Sequence, residues 1–170
     1  MIKPKLILTD IDGVWTDGGM YYDNLGNEFK KFNTSDSAGV LFLRFLDIPL
    51  AIISGEDTEI VKKRARKLNI QYCYLGVKDK VIVAKNICKN LDISLSEVAY
   101  IGDDINDIKL LEKVGLSAAP NNAPDYIKNK VDFITTKNGG EGAFREFVEI
   151  IINRFYNIDI VLEKYYKSLI

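Results

Sequence analysis

Four acidic residues stand where apolar runs end. Asp10 and Asp12 follow Leu6-Ile7-Leu8-Thr9, and Asp103 and Asp107 follow Val98-Ala99-Tyr100-Ile101. Burying a carboxylate is costly and like charges repel, so four of them at one edge of a sheet call for a cation among them. An all-oxygen donor set of this kind suits Mg²⁺. Magnesium among carboxylates points to phosphoryl chemistry. Asp10 then attacks phosphorus and forms an aspartyl phosphate, while Asp12, two residues on, protonates the departing alkoxide and later deprotonates water. A third apolar run, Leu50-Ala51-Ile52-Ile53, ends at Ser54-Gly55. The Ser54 hydroxyl and the Gly55 N–H can donate to a phosphate, and Lys80, near the start of a helix, adds a fixed positive charge. The chain has no histidine. That removes Ser-His-Asp and Cys-His catalysis, HExxH zinc sites and imidazole acid–base chemistry, and leaves proton transfer to carboxylates. A D-x-D pair or a G-D-D-x-x-D run alone is weak evidence; the weight lies in the whole set, in order, each member at a strand or helix end.

The elements that must position these groups alternate between apolar runs and amphipathic stretches, the pattern of an α/β domain with a mostly parallel sheet. Strands are expected at 5–9, 50–53, 71–75, 98–101, 116–118 and 132–134. Helices are expected at 36–46, capped by Asp36; at 57–68, capped by Asp57; and at 79–91, 106–114, 142–154 and 158–169. A β-hairpin is expected from 19–23 and 28–33 around Asn24-Leu25-Gly26-Asn27, where Asn and Gly tolerate positive φ. Ser94-Leu95-Ser96-Glu97 has the capping-box pattern. In open α/β sheets ligands bind beyond the carboxyl ends of the strands. Parallel neighbours would therefore bring Asp10, Asp12, Ser54, Asp103 and Asp107 to one edge.

The 170 residues suit one domain, 47% apolar and 28% charged. A formal net charge of −1 exerts no general pull toward nucleic acid or anionic membrane. The basic run Lys62-Lys63-Arg64-Ala65-Arg66-Lys67 has no interleaved aromatics and reads as a solvated helix face. Arg64 and Lys67 lie three residues apart on that helix and could meet a substrate's carboxylate or hydroxyls. Cys73 and Cys88 match no zinc or C-x-x-C spacing and read as small buried hydrophobes. No apolar run approaches the roughly 20 residues that span a bilayer, and the N-terminal apolar stretch is too short for a signal peptide. A cytoplasmic protein with neither nucleic acid nor membrane as partner is expected.

The set Asp10-Ile11-Asp12, Ser54, Lys80 and Gly102-Asp103-Asp104 with Asp107 resembles the four motifs of the haloacid dehalogenase superfamily, over about residues 5–148. The resemblance implies a Rossmann-like three-layer sandwich, one domain over 1–170 with no separate cap. It implies Mg²⁺ held by Asp10, Asp12 and Asp103, with Asp104 and Asp107 behind them. The extension Asp12-Gly13-Val14-Trp15-Thr16-Asp17-Gly18-Gly19 resembles the small, tetrameric sugar-acid phosphatases of that superfamily, which hydrolyse phosphorylated 2-keto-3-deoxy sugar acids. Enzymes of this branch for the eight-carbon octulosonate 8-phosphate usually carry Arg where this chain has Glu56, and tend to carry Arg where it has Ser35. Glu56 with Lys67 resembles the pair found in enzymes for nine-carbon acids, the 2-keto-3-deoxynononate and N-acylneuraminate 9-phosphates, so the nine-carbon substrate is expected and the eight-carbon one is the alternative. Thr34, in the segment that carries Ser35, is expected at the substrate with Glu56, Arg64 and Lys67. The resemblance further implies a homotetramer built on the hairpin at 19–33, each subunit covering its neighbour's site. The segment Gly139-Gly140-Glu141-Gly142-Ala143-Phe144-Arg145 resembles a family motif, and the tail at 155–170 resembles one that often reaches a neighbouring site. Two readings from other classes stand beside this one: a receiver-like signalling domain and a non-catalytic oligomerisation module. A receiver places its phospho-accepting Asp on a later strand and lacks an acid–base partner two residues beyond it.

Overall fold

The computed structural model describes residues 1–169. Its centre is a six-stranded sheet of β1 (Leu6–Thr9), β4 (Leu50–Ile53), β5 (Tyr72–Tyr74), β6 (Val98–Ile101), β7 (Leu116–Ala119) and β8 (Phe133–Ile134), in the order β5-β4-β1-β6-β7-β8. Every pairing within it is parallel. β1, β4, β6 and β7 are buried along their whole length, which is why they read as unbroken apolar runs.

Successive strand residues face opposite sides, so each run feeds two cores. Ile7, Ile52 and Ile101 join the core under α1 (Asp36–Phe45), α2 (Glu59–Lys67), α6 (Ala143–Phe155) and α7 (Ile158–Lys167). Leu6, Leu8, Ile53 and Tyr100 join the core under α3 (Lys80–Leu91), α4 (Ile108–Leu111) and α5 (Asp125–Lys128). The result is the expected three-layer α/β sandwich. The closing helix α7 lies on its own chain: Val161 is fully buried in the first core, Tyr165 meets Phe45 edge-on at 6.3 Å and Lys164 donates to the Phe45 carbonyl at 2.5 Å.

Several helix starts differ from expectation. Asp36 does not cap α1; Ser35 precedes the helix and Asp36 turns inward, accepting from the Arg145 N–H at 3.0 Å. Burial pushes its carboxyl up to about 6, against the pull of that N–H and of Arg64 and Arg145. Thr58, not Asp57, precedes α2, and Asp57 pairs with Lys62 at 2.6 Å. Asp79 does cap α3, accepting from the N–H groups of Val81 and Ile82. The Ser94–Glu97 capping box forms, but on a single 3-10 turn leading into β6. The helix expected at 106–114 shrinks to α4, because the residues before it are held in a turn around Asp107. The four-residue α5 is too short to leave a periodic signal.

The hairpin consists of β2 (Tyr21–Tyr22) and β3 (Glu28–Phe29), paired antiparallel. Asp23 organises its tip by accepting from the N–H groups of Leu25 and Asn27. No helix among the described residues is long and apolar enough to cross a membrane.

Candidate active site

The register of the sheet assembles the site. Thr9, the last residue of β1, pairs with Ile52 on one side and Ile101 on the other. The chain leaves the three strands within one residue of the same level, so Asp10, Ser54 and Asp103 emerge at one edge of the sheet. A cavity of about 270 Å³ opens there, its lining including Asp10, Asp12, Ser54, Gly55, Glu56, Asp103, Asp104 and Asn106.

Beneath the cavity Asp107 acts as a buried anchor. One of its oxygens accepts from Lys80 Nζ at 2.5 Å and from the Tyr100 hydroxyl; the other accepts from the N–H groups of Asp103 at 2.8 Å and Asp104 at 3.1 Å. Its acceptor capacity is thereby spent on fixing the loop after β6. Lys80 Nζ also lies 2.8 Å from Asp10 Oδ2. Burial is the largest influence on this ammonium and pulls its pKa down, but Asp10 and Asp107 together leave it raised, hence charged. Lys80 thus sits under the nucleophile candidate as a fixed cation, sealed from solvent.

Each of the cavity-lining residues Asp10, Asp12 and Asp103 has a buried carboxylate oxygen with no hydrogen-bond partner: Asp10 Oδ1, Asp12 Oδ2 and Asp103 Oδ1. Oxygens of Asp10, Asp103 and Asp107 fall within 4.8 Å of one another. Burial, then repulsion from Asp107, pushes the Asp10 carboxyl up to about 7 against the pull of Lys80. Burial, then repulsion from Asp10, Asp107 and Asp104, pushes Asp103 up to about 8. Crowded hard oxygen donors with unspent lone pairs and frustrated ionisation fit a divalent cation.

The loop after Asp12 is shaped for this closeness. Gly13 has φ +82°, and a Cβ on it would stand 1.8 Å from Asp103 Oδ2. The chain then turns back so that the N–H of Trp15 donates to the Ile11 carbonyl at 2.8 Å. Trp15 is fully buried; its Nε1 donates to Thr9 Oγ1 at 2.9 Å and its ring stacks on Phe144 at 4.5 Å. Gly139 packs under the same loop, and a Cβ there would meet the Gly13 carbonyl at 1.8 Å. The segment at 139–145 therefore supports the Asp10–Gly13 loop from behind.

Three of the residues expected at the substrate lie elsewhere in the single chain. Thr34 is exposed outside the cavity. Arg64 donates to the Asn33 carbonyl at 3.3 Å and to Ser37 Oγ at 3.0 Å. Lys67 is exposed at the last residue of α2. That helix begins near the cavity and runs back along the sheet, so nine residues at 1.5 Å rise carry Lys67 roughly 12 Å away. Glu56 alone of the expected specificity residues is on the cavity wall. Conversely, Lys30 and Thr16 went unnoticed in the sequence. Lys30 Nζ lies 2.8 Å from Asp12 Oδ1, and Thr16 Oγ1 donates to the same oxygen at 3.1 Å. The faint signal for Lys30 was its two-residue spacing from Glu28 on a short strand.

A buried aspartate over a fixed lysine, with a second aspartate two residues on and an acidic loop across a parallel sheet, is a constellation suited to phosphate-ester hydrolysis. Residues 48–147 match the family model of haloacid dehalogenase-like hydrolases. The chain is 38% identical to the 3-deoxy-D-manno-octulosonate 8-phosphate phosphatase of Haemophilus influenzae over 148 residues, 87% of this chain and 82% of that one. It is 37% identical to the enzyme of the same name from Escherichia coli K12, over 87% of this chain and 79% of the other. The crystal structure of the Moraxella catarrhalis enzyme of that name, in complex with a magnesium ion, a phosphate ion and KDO, superposes with a TM-score of 0.92 at 36% identity, covering 96% of this chain and 94% of that one. A probable YrbI-family phosphatase from Pseudomonas syringae gives a TM-score of 0.92 at 38% identity, covering 96% and 93%. The chain belongs to the haloacid dehalogenase-like hydrolases and is a phosphoric monoester hydrolase, which sets aside the receiver and scaffold alternatives.

Proposed function

We propose that this chain removes the terminal phosphate of a 2-keto-3-deoxy sugar acid in a Mg²⁺-dependent reaction, with 3-deoxy-D-manno-octulosonate 8-phosphate as the substrate its relatives favour. One arrangement carries the reading: the unpartnered oxygens of Asp10, Asp12 and Asp103 share a cavity with Ser54 and Gly55 in a chain related over most of its length to enzymes named for that activity.

Asp10 is the nucleophile. Lys80 holds its Oδ2 and leaves Oδ1 available. As the Asp10 oxygen bonds to phosphorus, the ester P–O bond breaks and Asp12 gives a proton to the departing alkoxide. Asp12 then takes a proton from the water that bonds to phosphorus as the Asp10–phosphorus bond breaks. The Ser54 hydroxyl and the Gly55 N–H hold the phosphate oxygens, and Lys80 offsets the charge of Asp10 and Asp107 from below. Asp10 and Asp103 would hold the metal through their carboxylates and Asp12 through its backbone carbonyl, oriented by Asp104 and Asp107, which leaves the Asp12 side chain for proton transfer. When bound, Mg²⁺ neutralises the repulsion between an anionic nucleophile and an anionic substrate.

A second reading, a nine-carbon 9-phosphate, is favoured by Glu56. Its carboxylate on the cavity wall can accept from sugar hydroxyls, which an arginine cannot do. Phosphate release from eight-carbon and nine-carbon substrates, including amino-substituted ones, decides between them. Faster turnover of the octulosonate compound is the expected result on the relatives' evidence of kinship; faster turnover of a nine-carbon compound, lost on Glu56→Arg, establishes the second reading. Asp10→Asn abolishes turnover of either. Retained turnover in that variant refutes the mechanism.

Assembly into a homotetramer is part of the proposal. The hairpin exposes Met20, Tyr22, Leu25 and Phe29, an apolar surface suited to a second copy of the chain. Substrate contacts from Thr34, Arg64 and Lys67 would then be made across a subunit boundary.

A further inference from the structure

Lys30 is the one hairpin residue whose ammonium is buried against the site. Its side chain is 1% exposed, and Nζ lies between Asp12 Oδ1 at 2.8 Å and Glu28 Oε1 at 3.4 Å. The neighbouring side chain of Phe29 points the other way, exposed. Asp12 therefore has two unequal oxygens. Oδ1 is held by Lys30 from the hairpin and by Thr16 from the loop after Asp12, whereas Oδ2 is buried without a partner in a residue that lines the cavity.

We propose that Lys30 is a positioning residue for the acid–base step: it pins Asp12 Oδ1 and so aims Oδ2 at the leaving-group oxygen. A lone carboxylate rotates about its terminal torsion in a broad, two-fold well, presenting either oxygen. Two donors on one oxygen remove that freedom, and the charge-assisted bond from Lys30 is the stronger of the two. The same contact ties the hairpin to the chemistry. A change in hairpin position reaches Asp12 through one side chain, with no other element between. The inference rests on the assignment of Asp12 as acid and base.

The test compares substrates by their need for a proton. An alkyl phosphate leaves as a strongly basic alkoxide and needs Asp12; p-nitrophenyl phosphate leaves as a stable phenolate and does not. For Lys30→Met, kcat on the sugar-acid phosphate is expected to fall about 100-fold at a KM within about threefold of wild type, while first-turnover release of nitrophenolate changes less than about threefold. Lys30→Arg, which restores a charged donor, is expected to recover most of the loss. Lys30→Gln keeps a neutral donor and provides the same comparison should the methionine variant not fold. Equal slowing of both substrates, a rise in KM at unchanged kcat, or no effect on either would overturn the proposal. The sugar-acid assignment fails separately, as absent turnover of those compounds by the wild-type enzyme. The alkyl-to-aryl ratio, measured with whichever alkyl phosphate the wild type hydrolyses, still decides the role of Lys30.

Discussion

At the scale of single residues, the site stores electrostatic conflict that a cation relieves. Asp10 and Asp103 are raised to about 7 and about 8, chiefly by burial. Their folded-state values exceed the ordinary carboxylate value of 3.8, so the folded protein holds protons that the unfolded chain releases. In metal-free protein their contribution to stability is fully present below that ordinary value and is lost as pH rises through about 7 and then about 8. A Mg²⁺ ion held by these carboxylates would compete with those protons and bind the ionised form. Thermal unfolding with and without Mg²⁺ should therefore show a larger gain in Tm on the alkaline side of this window than on the acid side. At a concentration 100 times its Kd, the metal is expected to add about 2.7 kcal/mol. A gain independent of pH would mean that these carboxylates do not hold the ion.

At the scale of elements, the loops rather than the strands carry the tight tolerances. The Asp10–Gly13 loop is pressed between Asp103 in front and Gly139 behind. Gly139→Ala places a methyl group within the van der Waals radius of the Gly13 carbonyl, against backbone atoms, where no neighbouring side chain can give way. Overpacking of this kind costs about 1–3 kcal/mol, which urea unfolding would measure, and it should lower kcat by shifting Asp12. The strands were legible because burial on both faces makes them continuous apolar runs; β4 and β6 fall where their residues indicated. The helix starts were less so. Asp36 looked like a cap, yet its partner is the backbone of Arg145, 109 residues away. Local pattern cannot distinguish an acid that caps its own helix from one that receives a distant N–H.

At the scale of the whole molecule, the hairpin is inside out for a single chain. Lys30 faces the protein interior while Tyr22, Leu25 and Phe29 face solvent. A polar inner face and an apolar outer one make sense for an element clasped between subunits. Light scattering on eluted protein is expected to return four times the 19.2 kDa chain mass. Phe29→Glu, which puts charge into that surface, should shift the population toward smaller species and lower activity with it, since Lys30 is the next residue. A wild-type monomer at micromolar concentration would remove the assembly proposal and leave the fold and reaction class standing.

Taken alone, the amino-acid sequence determined the parallel α/β sandwich and the gathering of Asp10, Ser54 and Asp103. Apolar strands and polar punctuation are local properties, and the sheet's register then places the ends of β1, β4 and β6 within one residue of a common level. It also marked Lys80 as part of the site, although only the structure shows that ammonium buried beneath Asp10 and bound to Asp107 and Tyr100. Which oxygens remain free, which carboxylate is spent as an anchor and which lysine grips Asp12 were decided by tertiary structure. Those outcomes depend on distances of about 3 Å between residues far apart in the chain, and no spacing along the chain encodes them.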